Sequence, residues 1–164
     1  MFTIQELYQY TSTVRRRFLD RLEALPWEVL VKNREASFYS MRNIFLHMID
    51  NEDWIVNWVI ANRSAEYKRR KSDEYVDFAM VKAHALAVEA KTVAYLGGIG
   101  EAELQRRVKF ILGSGESFDL SVEEALFQTL TEQLFHTGEL IALLWQEDIE
   151  PPRMQWFHNN PRSP

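Results

Sequence analysis

The chain has 164 residues, 46% hydrophobic and 13% aromatic, with 19 basic and 24 acidic side chains that leave a formal charge of −5. This composition excludes a disordered segment and suits one domain, residues 1–164, with a substantial core. Cysteine is absent, which excludes a disulfide framework and a thiolate ligand, so any metal must be held by His, Asp, Glu or water.

The first predicted helix opens at a capping box, Thr3-x-x-Glu6, whose hydroxyl and carboxylate satisfy amide groups of the first turn. Leu7, Val14, Phe18, Leu19 and Leu22 follow at helical spacing until Pro26 interrupts. Residues 27–39 read as a connection. Ser40 is the expected N-cap of a second helix, with Ile44, Met48, Ile55, Trp58 and Val59 as its apolar positions and its end near Ala61. The polar stretch from Asn62 to Asp73 reads as a loop. A third helix is expected over Val76 to Leu96, stopped by Gly97-Gly98.

Residues 99–120 break the helical pattern: R-R-V-K-F-I-L, then G-S-G-E, then S-F-D-L read as a short hairpin or an extended loop. A second capping box, Ser121-x-x-Glu124, opens a fourth helix to about Gln146. Pro151-Pro152 ends it, and the tail P-P-R-M-Q-W-F-H-N-N-P carries two aromatics expected to fold back. Four amphipathic segments predict an all-α fold, an up-down-up-down four-helix bundle with a short hairpin or extended loop between helices 3 and 4.

The basic clusters Arg15-Arg16-Arg17 and Lys68-Arg69-Arg70-Lys71 are short, so they read as solvated faces rather than a nucleic-acid surface. The N-terminal M-F-T-I-Q-E-L-Y has no signal-peptide pattern, and no run nears the roughly 20 apolar residues that span a bilayer. Asn62-Arg63-Ser64 matches a glycosylation acceptor, which carries no weight without export. A cytoplasmic protein is expected, with neither nucleic acid nor membrane as a partner.

Chemistry concentrates on the fourth helix, where Glu132 and His136 stand at i and i+4 and so share one face with Thr129, Leu140 and Leu143. On the second helix, the stripe through His47 holds Ile44, Asn51, Trp54 and Trp58, with Asp50 about 60° to one side. A buried ionised glutamate demands a partner. In one arrangement Glu132 hydrogen-bonds His136 or a neighbouring helix, and His47 is a core or rim histidine. In another, His47, Glu132 and His136 ligate a divalent metal. A di-iron carboxylate centre is excluded, because it needs E-x-x-H motifs on two helices and the sequence has none. Spacing alone leaves the first two open.

The segments S-M-R-N-I-F-L-H-M-I-D and L-F-H-T-G-E-L-I-A-L-L-W-Q-E-D-I-E-P-P resemble the DinB/YfiT-like superfamily of four-helix-bundle proteins, and the resemblance spans nearly the whole chain. Members typically carry one histidine on helix two and an H-x-x-x-H pair on helix four, the second followed by something like R-G-Q. Carried over, His47 and His136 match the first and last ligands. Glu132 stands where a histidine is usual, and Thr137-Gly138-Glu139 where R-G-Q is common. The resemblance implies one divalent transition metal (Zn, Ni, Fe or Mn) on His47, Glu132 and His136. It further implies a metal-dependent hydrolase or a low-molecular-weight-thiol transferase acting on a small molecule, and a homodimer. The alternative is a non-catalytic binding or stress-associated relative that has lost its metal. Asp50 and Asn51, one turn from His47, are the expected catalytic residues, orienting a ligand or accepting a proton. His84 is read as structural and His158 as a surface residue.

Overall fold

The computed structural model describes residues 2–159. Helix α1 (Ile4–Glu23) starts at the expected capping box, with the Glu6 amide donating to Thr3 Oγ1 at 3.2 Å and the Thr3 amide to Glu6 Oε2 at 2.9 Å. A short α2 (Trp27–Val31) lies inside the expected connection. Ser40 caps α3 (Met41–Glu52), its hydroxyl accepting from the Asn43 amide at 3.2 Å.

Beyond Glu52 the structure departs from the sequence reading. Residues Asp53–Val59 continue α3 as a π-helix, and the amides of Ile60 and Arg63 bond the carbonyls of Ile55 and Trp58, five residues back, at 2.9 and 2.7 Å. The wider turn rotates less per residue, so a stripe extrapolated at 100° drifts off the core. The buried line runs through Phe45, Met48, Ile49, Glu52, Ile55, Val56 and Val59. Asn51, Trp54 and Trp58, expected to face inward with His47, are half-buried like His47 itself.

The loop from Asn62 contains two single 3₁₀ turns, Ser64–Glu66 and Ser72–Glu74. Helix α4 (Phe78–Leu96) starts two residues later than expected because Asp77 is the cap, accepting from the Met80 amide at 2.9 Å. After a short α5 (Glu101–Leu104) the chain forms the hairpin: β1 (Arg107–Ile111) pairs antiparallel with β2 (Ser117–Ser121), and Phe110 stands opposite Phe118. Gly115 takes a φ of 92° in the turn, a left-handed conformation that glycine adopts without penalty. Phe110 meets the Trp54 ring edge-on at 5.3 Å, which ties the hairpin to the π segment. Helix α6 (Val122–Gln146) opens at the second capping box. The tail folds back through one of its two aromatics: in α7 (Trp156–Asn159), Trp156 packs on Phe2 and Tyr10, and the Tyr10 hydroxyl donates to the Met154 carbonyl at 2.5 Å, while Phe157 stays exposed. Asn160 and Pro161, which end the tail motif, lie outside the described residues.

The described chain is mostly helical. Helix α3 packs on α6 and α4, and α1 packs on the same two partners. Two apolar clusters fill the interior. One gathers Phe18, Leu22, Phe45, Ile49, Val88 and Leu140, the other Tyr8, Ile55, Val59, Leu96, Leu126 and Leu130. Along each long helix the residues between these clusters are polar: Arg15 on α1, Glu52 at the end of α3, Glu89 and Thr92 on α4, Gln133 on α6.

These residues form one network. Glu52 is fully buried, pairs with Arg15, and accepts from Tyr8 Oη and Thr92 Oγ1 at 2.7 Å each and from Gln133 Nε2 at 3.4 Å. Arg15 Nη2 also donates to Glu89 Oε2 at 3.1 Å, and Glu89 Oε1 accepts from Arg16 Nε at 2.7 Å. Burial alone would lower the basicity of Arg15, but Glu52, Tyr8 and Glu89 outweigh it and hold its pKa above the ordinary arginine value. The Arg15-Arg16-Arg17 cluster is therefore not a uniform solvated face, since its first member is a core residue.

Candidate metal centre

The packing of α3 on α6 sets His47 beside the Glu132–His136 pair. Glu132 Oε2 lies 3.4 Å from His47 Nε2 and 3.3 Å from His136 Nε2. One donor atom from each of the three residues falls within 4.8 Å of the others, the only such group of three or more His, Asp or Glu among the described residues. The His136 side chain is 6% exposed, against 21% for His47 and 27% for Glu132, so the site is closed on the His136 side and open on the other.

Neighbours orient each donor. His136 Nδ1 meets Glu139 Oε2 at 2.5 Å, and Ser37 Oγ donates to the same oxygen at 2.9 Å. A proton on Nδ1, held by that carboxylate, leaves the Nε2 lone pair for a ligand. Burial disfavours ionised Glu139, yet the hydrogen bonds from His136 and Ser37 together overcome it and hold its carboxyl below the usual glutamate range. The Phe38 ring stacks on His47 at 4.0 Å and meets His136 edge-on at 5.4 Å. Burial, helped by the nearby His136 and Arg69 and opposed by Glu132, lowers the His47 pKa and favours the neutral imidazole that can ligate. Glu132 Oε1 accepts from Gln128 Nε2 at 3.0 Å.

Two imidazole nitrogens and one carboxylate fit a borderline divalent ion such as Zn, Fe, Mn or Ni. The two separations from Glu132 fit as well, and all three donors lie within 4.8 Å of one another. Histidine–carboxylate contacts of 3.3 and 3.4 Å exceed a charge-assisted hydrogen bond of about 2.8 Å. Donors about 2.1 Å from a tetrahedral ion stand about 3.4 Å apart.

The expected catalytic pair does not join this group. Asp50 is buried with its Oδ2 accepting from Arg69 Nε at 2.7 Å, while Oδ1 has no hydrogen-bond partner. Asp50 lines a cavity of about 380 Å³ together with Asp53, Tyr67, Tyr75 and His84. Burial raises its carboxyl pKa, partly offset by Arg69. Asn51 is half-buried and its Oδ1 is also unpartnered. Among the described residues, neither hydrogen-bonds His47, Glu132 or His136. His84 is engaged by the Tyr75 hydroxyl at 2.5 Å and stacks on that ring, a contact consistent with the structural reading. His158 is exposed on α7.

Ser37 and Phe38 escaped the sequence reading, and Glu139 entered it only within Thr137-Gly138-Glu139, without a role at the site. Glu139 carried a legible signal, since i+3 places it one turn from His136. Ser37 and Phe38 lie in an irregular segment without a period. Glu139→Gln should weaken metal affinity by about 10- to 100-fold with helix content unchanged, measured by competition against a chromophoric chelator. An affinity equal to that of the unaltered protein would show that Glu139 does not orient His136.

Among the curated proteins there is no match to this chain. Among solved structures, the crystal structure of a DinB-like protein from Bacillus cereus is similar, with a TM-score of 0.63 over 88% of this chain and 90% of that one. The two share 15% identity, so the likeness concerns the fold. The model of the DinB family matches residues 1–161, and the chain belongs to that family.

Proposed function

We propose that this protein is a metal-dependent enzyme of the DinB/YfiT-like type, a hydrolase or a low-molecular-weight-thiol transferase with a small-molecule substrate. His47, Glu132 and His136 hold one divalent transition metal, and the observation that carries this reading is their convergence from α3 and α6 across 85 residues of sequence. The ion supplies Lewis-acid chemistry, lowering the pKa of a coordinated water or thiol. Glu139 fixes the His136 ring, Phe38 fixes the His47 ring and limits water, and the half-exposed Glu132 side leaves room for substrate.

The proposal extends to the whole: residues 1–164 as one four-helix-bundle domain of up-down-up-down topology, working as a cytoplasmic homodimer. The exposed Phe127, Phe135 and Trp145 of α6 offer an apolar face for the second copy. No helix of the described residues is long and apolar enough to cross a membrane.

A non-catalytic relative is the second reading, favoured by the contacts Glu132 already makes with Gln128 and both histidines. The two readings separate in an assay of metal-depleted and Zn-, Mn-, Fe- or Ni-loaded protein against ester, amide and thiol–electrophile substrates. The enzyme reading expects turnover that needs the metal and vanishes in His47→Ala. The absence of both metal uptake and turnover of any class favours the non-catalytic relative that has lost its metal.

A further inference from the structure

The residues Arg69, Arg70 and Lys71 were read from sequence as a solvated face, but the fold places them around a cavity of about 490 Å³. Phe38, Tyr39 and Asn43 form its other walls, and no acidic residue lines it among the described residues. The cavity borders the candidate metal centre, because Phe38 lies flat on His47 and Asn43 is one helical turn before it.

The Arg69 ion pair engages only one edge of its guanidinium. Asp50, whose side chain is only 7% exposed, takes Arg69 Nε at 2.7 Å. Both Nη groups make no hydrogen bond to the described residues, on a side chain that is half exposed. A guanidinium anchored at Nε presents its outer edge in the fork geometry that matches carboxylate and phosphate oxygens. Tyr39 supplies a second built feature. Its φ of 68° is a left-handed conformation unfavourable for a residue with a β-carbon, and backbone bonds from Arg34 N to Tyr39 O (2.7 Å) and Tyr39 N to Ala36 O (3.0 Å) hold it. The turn packs Phe38 on His47 and leaves Tyr39 exposed at the cavity.

We infer that this cavity is the anion subsite of the metal centre, and that its substrate carries a carboxylate or phosphate gripped by Arg69, with Arg70 and Lys71 adding charge and Tyr39 an aromatic wall. This rests on the proposed metal site for the reacting end of the substrate, but the grip itself needs no metal. Asp50 is then a positioning residue for Arg69 rather than a proton acceptor at the metal.

The test is calorimetric titration of phenyl phosphate, benzoate and neutral benzamide into the Zn-treated protein and into the Glu132→Ala variant. Saturable binding of one or both anions is expected, at least tenfold tighter than benzamide, and the tighter anion identifies the oxyacid. Arg69→Gln should weaken it at least tenfold. Asp50→Ala should weaken it about fivefold, and Asp50→Asn, which keeps an acceptor for Nε, should restore most of the loss. Lys109→Gln, on the hairpin, should change nothing. Benzamide binding as tightly as the anions, no saturation, or indifference to Arg69→Gln would overturn the inference. Glu132→Ala separates the two proposals. If neither protein takes up metal yet Arg69-dependent anion binding persists, only the metal reading fails. Metal uptake by the unaltered protein without anion binding sinks the subsite alone.

Discussion

Arg15→Ala should destabilise the fold by about 3–5 kcal/mol, the cost of breaking a buried ion pair by removing one partner. The guanidinium is 2% exposed and pairs with two carboxylates, Glu52 at 0% and Glu89 at 4%. Without it Glu52 keeps donors in Tyr8, Thr92 and Gln133 but no counter-charge, and Glu89 keeps only the exposed Arg16. Against a domain stability of about 5–15 kcal/mol the loss is large enough to unfold a marginal protein. Glu52→Gln should cost less, because the amide retains an oxygen for Tyr8 and Thr92 while Arg15 retains Glu89. Urea unfolding followed by far-UV circular dichroism gives both values, and a midpoint for Arg15→Ala within about 1 kcal/mol of the parent would show that the network does not hold the helices together.

His136→Ala should lower metal affinity by about a thousandfold or more. Removing a ligand must exceed the roughly 100-fold that orienting contacts carry, and His136 is the most buried of the three donors. The same loss is readable in stability. Ligand that binds only the folded state stabilises it by about 4 kcal/mol at a thousand times Kd, so the unaltered protein should melt several degrees higher with Zn. The His136→Ala melting curve should not move with added metal. Equal shifts in the two proteins would place any bound metal elsewhere. Far-UV spectra keep this distinct from misfolding, since Leu140, Leu143 and Leu144 still pack the core face of α6 in the variant.

Local chemistry made most of the helix starts legible. Thr3, Ser40 and Ser121 cap the helices they were expected to cap, because a hydroxyl three residues before a free amide needs only local geometry. The hairpin was legible from its glycine turn, whereas strand and extended loop are told apart only by the antiparallel pairing of β1 with β2. The π segment was invisible, since the apolar residues of Asp53–Val59 fit an α period nearly as well. Asp50 and Asn51 lie upstream of it in regular α3, where the core line runs through Met48 and Glu52 and not through the half-buried His47. Arg15 and Glu52 could not be paired from sequence, because their contact crosses 37 residues and each alone looks like a surface charge. Glu132 and His136 showed their shared face through i,i+4 spacing, whereas their meeting with His47 depends on α3 packing against α6, which no local signal encodes.

Whether His47, Glu132 and His136 hold a metal is decided by elemental analysis of protein purified without chelator or affinity nickel, beside Glu132→Ala. About one equivalent of a transition metal is expected in the unaltered protein and a small fraction of that in the variant. No metal in either, after incubation with Zn, Mn, Fe and Ni, would contradict metal binding and leave the three residues as a hydrogen-bonded pairing of α3 with α6.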